Sequence, residues 1–184
     1  MNTRTFLAAW SFGVVALLAG GCQCCAPSAS PSAIAQADAQ RADLAKFVGA
    51  WEFTGSWTGE NGASNQVAGR AAGVLENQYF VLLDIQTTSG TMAGRTGRKA
   101  GSMLLAAEPG IGLTLTAWGD ASPSVMHLVG RDEDAGSTLT FRSAHGEVPL
   151  TLVIRVENAD RWTASINNTS TNTTTANYTF TRSK

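Results

Sequence analysis

The sequence predicts an all-β fold, a single antiparallel sheet of about ten strands closed into a barrel behind a short N-terminal helix. Short β-prone runs recur roughly every 10–15 residues from Ala50 to Arg182, with turn residues between them. Within the second run, Gly69 and Gly73 supply the bends or bulges that let a sheet curl. Closure also removes the exposed edges that about ten antiparallel strands would otherwise leave. A two-sheet sandwich is the alternative arrangement. No internal repeat points to a propeller.

The first strand organises the rest. In Phe47-Val48-Gly49-Ala50-Trp51-Glu52-Phe53, and on to Trp57, the aromatics Trp51, Phe53 and Trp57 share one parity, with Gly55 between them. Period-two alternation puts all three on one face of an extended strand. Burying each large ring contributes roughly 2–3 kcal/mol, so the strand is a nucleus for the core. Gly49 allows a close turn into it.

The runs that follow are Asn65–Leu75, Tyr79–Thr87, Ala100–Ala107, Ile111–Trp118, Val125–Gly130, Thr138–Ser143, Leu150–Val156, Arg161–Ile166 and Ala176–Arg182. Turn signals separate them: Thr58 to Gly62, Glu108-Pro109-Gly110, Ser122-Pro123 and Asp132 to Gly136. The polar tract Asn167 to Thr175 reads as a long hairpin before the last strand.

Several of these segments resemble one family. Phe-Val-Gly-Ala-Trp-Glu is similar to the opening of lipocalin-like and fatty-acid-binding-like barrels, where Gly-x-Trp closes the base. With Leu44 to Trp51, Trp118-Gly119-Asp120, Gly130-Arg131-Asp132 and the closing Tyr178-Thr179-Phe180-Thr181-Arg182, the chain from Leu44 to Lys184 resembles the lipocalin-like envelope proteins of domain-of-unknown-function class 1579. The resemblance implies a fold and no activity. It also implies that Arg182 packs over Trp51, a cation–π contact of ~0.5–2 kcal/mol.

Residues 1–21 read as a targeting segment, with Arg4 as the positive end and Phe6 to Leu18 as the apolar stretch. Leu18-Ala19-Gly20-Gly21-Cys22 resembles a bacterial lipoprotein processing site, which makes Cys22 the lipidation residue. Ala19 departs from the Leu that pattern prefers. The implied location is the bacterial cell envelope, lipid-anchored, with Gln23 fitting the outer membrane if the cell has two. Cys24 and Cys25 either carry acyl groups or pair between chains, because a disulfide between neighbours is strained. Residues 22–43 form a tether (Ala26 to about Ser32) and a helical lead-in. The expected helix, Ile34 to Lys46, caps one end of the barrel. The domain spans 44–184.

Composition excludes several function classes. Removing residues 1–21 takes away only Arg4, leaving 12 basic against 14 acidic side chains, a balance that offers no field for nucleic acid. All three cysteines fall between Cys22 and Cys25, so the predicted domain has no structural disulfide, and their spacing makes a poor metal site. No cofactor motif is present, nor Gly-x-Ser-x-Gly or His-Glu-x-x-His, and the chain reads as a binding protein rather than an enzyme.

Strand parity picks out the candidate ligand-lining residues Trp51, Phe53, Phe80, Leu82, Leu113 and Leu115. Trp118 is added for its size, against its parity, and His127 because it alternates with Val125 and Val129. Asp84 shares the parity of Phe80 and Leu82; if buried it needs a partner, and Arg70 or Arg155 could supply one to orient a ligand's polar head. Arg95, Arg98 and Lys99 sit in a glycine-rich connection able to touch anions or headgroups, and His145 in a turn. The leading expectation is a lipid-anchored barrel holding a small apolar ligand. The second is a structural or partner-binding envelope barrel with a filled interior. Cavity volume separates them.

Overall fold

The computed structural model describes residues 29–59, 62–77, 79–90, 99–119, 122–143 and 149–184. The expected targeting segment, Cys22, Cys24, Cys25 and most of the expected tether lie outside the described residues. So do Arg95, Arg98, the side chain of Lys99, and His145.

One helix, α1 (Pro31–Leu44), runs into a 3-10 turn at Ala45–Phe47, and ten strands follow. They are β1 (Gly49–Thr58), β2 (Ser64–Glu76), β3 (Phe80–Gly90), β4 (Lys99–Glu108), β5 (Gly112–Gly119), β6 (Ser122–Asp132), β7 (Thr138–Ser143), β8 (Leu150–Asn158), β9 (Arg161–Asn168) and β10 (Thr173–Arg182). Each strand pairs with its neighbour in sequence, and β1 closes on β10, so the sheet is a barrel without free edges rather than a sandwich.

The helix starts at Pro31 rather than at Ile34. Ser30 holds the N-cap, its Oγ accepting from Ala33 N at 3.2 Å, and Pro31 fits the first turn because no amide is needed there. The Pro-Ser composition that suggested tether is thus a helix start. Leu44 and, after the turn, Phe47 enter the core, while α1 packs against β3, β4 and β5. Lys46 Nζ bonds Asp43 Oδ1 at 2.7 Å and Gly136 O at 3.3 Å, tying the helix end to the β6–β7 turn.

Side-chain size decides how the interior fills. The inner face of β2 is small: Gly69, Ala71 and Gly73 sit opposite Phe53, Trp51 and Gly49. A Cβ on Gly69 would lie 2.5 Å from the Phe53 ring, so the glycine makes room for the aromatic. The β2–β3 register also shifts between Ala68 and Gly69, the irregularity expected of that glycine.

Four of the expected lining residues face outward. On β3 it is Val81 and Leu83, both fully buried, that point in, so Phe80 and Leu82 lie on the outer face. On β5 the inner parity is Leu113, Leu115 and Ala117, which leaves Trp118 outside and 39% exposed. On β6, Met126 and Leu128 point in, and His127 is exposed between Val125 and Val129.

Candidate functional site

The barrel is filled at one end and hollow at the other. At the closed end, Trp51 and Phe47 both meet the Trp162 ring edge-on, with centroids 5.9 and 5.2 Å away. Trp162 stacks on Phe180 at 3.6 Å, and Phe180 packs against Phe53 at 5.4 Å. Five rings thus form a continuous column, and edge-to-face and offset pairs each add about 0.5–1.5 kcal/mol beyond burial.

Arg182 locks that end. Its guanidinium lies 4.3 Å from the Trp51 ring, the contact that the family resemblance implied. It donates to Val48 O at 3.1 Å and Ala159 O at 2.9 Å, and pairs with Asp160 at 3.1 Å. Gly49, at φ +126°, leaves the space: a Cβ there would lie 2.4 Å from an Arg182 nitrogen. The Trp51 indole N–H donates to Phe47 O at 3.0 Å.

Beyond Phe53 and Phe180 the column stops, and a cavity of about 150 Å³ opens. It is lined by Phe53, Ile85, Met103, Leu115, Ala117, Met126, Leu150, Leu152, Ala164, Ile166, Tyr178 and Phe180. Every lining side chain is apolar except for one phenol, that of Tyr178. An apolar cavity of this size can hold a molecule of about one aromatic ring.

Gly55 seats Tyr178. The two residues are paired across β1 and β10, and a Cβ on Gly55 would lie 2.5 Å from the tyrosine ring. The ring therefore lies flat against β1, edge-on to Phe53 at 6.2 Å. Burial desolvates the phenol and pushes it above its ordinary 10.0, because the phenolate is the form that loses hydration. The indole N–H groups of Trp57 and Trp162 are buried without partners, but neither residue lines the cavity.

The eight residues expected to contact a ligand therefore divide by place. Phe53 and Leu115 line the cavity. Trp51 and Leu113 are buried in the core outside it. Phe80, Leu82, Trp118 and His127 belong to the outer surface, where the His127 ring meets the Thr116 hydroxyl at 3.0 Å. Asp84 is also on the outer face and accepts from Ser102 Oγ at 2.7 Å, while Arg70 and Arg155 point to solvent. Among the described residues, no cation lines the cavity.

Tyr178, Met126, Ala164 and Ile166 were not among the expected lining residues. Their signal was present: Tyr178 shares parity with Phe180, and Ala164 and Ile166 with Trp162, in strands that alternate with Thr and Ser. Among the described residues, no group of three or more His, Cys, Asp or Glu side chains could hold a metal.

No family model matches the chain, and neither does any curated protein. Solved structures do match. An S-type phycobiliprotein lyase from Guillardia theta is similar with a TM-score of 0.52 at 14% identity, over 77% of this chain and 90% of that one. Rv2717c from M. tuberculosis is similar with a TM-score of 0.53 at 14% identity, over 79% and 98%. At such identity the likeness is one of fold, and it agrees with the register: the chain is a lipocalin-like barrel of ten antiparallel strands.

Proposed function

We propose that this protein is a lipid-anchored protein of the bacterial envelope, of the class-1579 type, whose barrel binds a small apolar molecule. The observation that carries the binding reading is the apolar cavity of about 150 Å³ above the aromatic column. Anchoring rests on Leu18-Ala19-Gly20-Gly21-Cys22 alone. Acyl chains add ~0.8 kcal/mol per buried methylene, so a multiply acylated Cys22 would hold the protein at the membrane permanently. Cys22→Ser should then move it from the membrane fraction to the soluble one.

One barrel of similar fold is a phycobiliprotein lyase, so this architecture also serves an enzyme-like task. Among the described residues the cavity lining carries one ionisable group, Tyr178, and that favours holding a molecule over transforming it. The second reading, a barrel kept for its shape or its partners, is favoured by the five-ring column that fills the closed end.

Toluene separates the two readings. On the binding reading it raises the melting temperature, because a ligand that binds only the folded state stabilises it by mass action. Ala164→Leu, which fills part of the cavity, should abolish that rise. A melting temperature indifferent to toluene would favour the structural barrel.

A further inference from the structure

Outside the barrel interior, a polar crevice of about 100 Å³ separates α1 from the β4–β5 turn. Its helix wall is the stripe Ala33, Gln36, Ala37 and Gln40, whose spacing makes it one face of α1. Its other wall is Glu108, Gly110, Ile111 and Gly112. Gly110 and Gly112 carry no side chain, and a Cβ on Gly110 would meet nothing within 4 Å, so the turn side is open. All eight residues belong to the described part of the chain.

Gln40 is the anomaly in this wall. It is only 9% exposed, yet its Oε1 is buried with no hydrogen-bond partner among the described residues. A buried carbonyl oxygen left without a donor costs about 1–3 kcal/mol. Long side chains on a helix lean towards its N-terminus and lie over the preceding turn. Gln40 therefore extends over Gln36 and Ala37, which runs its amide along the crevice. On the facing wall, Glu108 is held in place: its Oε1 accepts from the Thr114 hydroxyl at 2.8 Å, and Thr114 is buried. Glu108 carries the one charge in the lining and stands exposed at the crevice's edge.

We infer that this crevice is a second binding site, for a small ammonium-type cation whose N–H groups donate to Gln40 Oε1 and to the Glu108 carboxylate. Acceptors on both walls call for a donor, and the carboxylate calls for a positive one. An ammonium group carries several N–H donors pointing apart, so one group meets both walls. The crevice is smaller than the cavity of about 150 Å³ that takes a benzene ring. Its occupant is therefore a primary ammonium with a carbon or two, or the amine end of a longer molecule that extends into solvent. The site is independent of the barrel cavity and stands whether or not the barrel holds a ligand.

The test titrates the full-length protein with ammonium, methylammonium and potassium chlorides while amide proton–nitrogen NMR spectra are recorded. Potassium resembles ammonium in charge and size and has no N–H to donate. Ammonium and methylammonium should each produce saturable shifts of the Gln40 side-chain amide and of the Ile111 and Gly112 backbone amides. Potassium should not. Glu108→Gln should weaken methylammonium roughly fivefold, the loss expected when the partner charge is exposed. Gln40→Met keeps the length of the side chain and removes the carbonyl. It should weaken the Ile111 and Gly112 response by a similar factor, with a denaturant midpoint at or above that of the wild type, because the unpaired acceptor is gone.

Equal saturation with potassium would overturn recognition through N–H donors. Unaltered methylammonium binding in Gln40→Met or in Glu108→Gln would overturn the two-wall arrangement. No saturable shift with any of the three salts would overturn the site and leave a crevice that holds water alone. None of these outcomes bears on toluene in the barrel.

Discussion

At Gly55 the chain omits a side chain, and Tyr178 lies in the space. Restoring a methyl group there would place it 2.3 Å from Asn177 O and 2.5 Å from the tyrosine ring, so β10 or the ring must move. Gly55→Ala is expected to destabilise the fold by about 1–3 kcal/mol, as overpacking of a close contact does. Denaturant midpoints check this. The phenol makes a second prediction. Burial raises its pKa above 10.0, so the folded protein holds that proton more tightly than the unfolded chain does. Stability is therefore full below about pH 10 and falls as pH rises through the folded value, a loss that Tyr178→Phe removes. Unfolding the two proteins at about pH 8 and about pH 11 measures the difference. Residue-scale roles were legible only in part. Gly-x-Trp and a closing arginine together pointed to the Trp51–Arg182 contact. Tyr178 was passed over because its strand was read as a family signature, although its alternation with Phe180 carried the information.

Element by element, the ten runs of the sequence became ten strands, since turn chemistry and alternation mark where strands start and stop. Which face points inward was harder to read. Phe80-Val81-Leu82-Leu83 is apolar on both parities, so alternation cannot choose, and in the barrel Val81 and Leu83 take the inside. Likewise in β6, Val125 and Val129 made the outer face look like a core face, while Met126 and Leu128 point inward. Only the register with β5, which pairs Leu115 with Leu128, decides it. The helix start was hidden for a different reason: Pro and Ser mark tethers and N-termini alike. Ser30→Ala should cost about 1 kcal/mol of helix stability, seen as faster amide exchange in the first turns of α1 with the barrel strands unchanged.

For the whole molecule, the filled and hollow ends do different work. Five packed rings and the Arg182 lock close one end. That leaves the space beside Tyr178 free of any structural duty. The sequence announced both properties, in the aromatics of β1 and in the missing bulk of Ala117 and Ala164, but not where one would stop and the other begin. That boundary depends on which rings from β1, β9 and β10 meet across the barrel, a matter of closure rather than of any one strand. Phe53 sits on it. Phe53→Ala should enlarge the cavity and cost about 3–5 kcal/mol by denaturant unfolding. The measurement that tests the central claim most directly is native mass spectrometry of the protein purified from its own host. A small adduct that is lost on unfolding is the predicted result, and its mass would bound the ligand's size. A bare protein that also fails to take up toluene would contradict the account and leave a barrel kept for its shape.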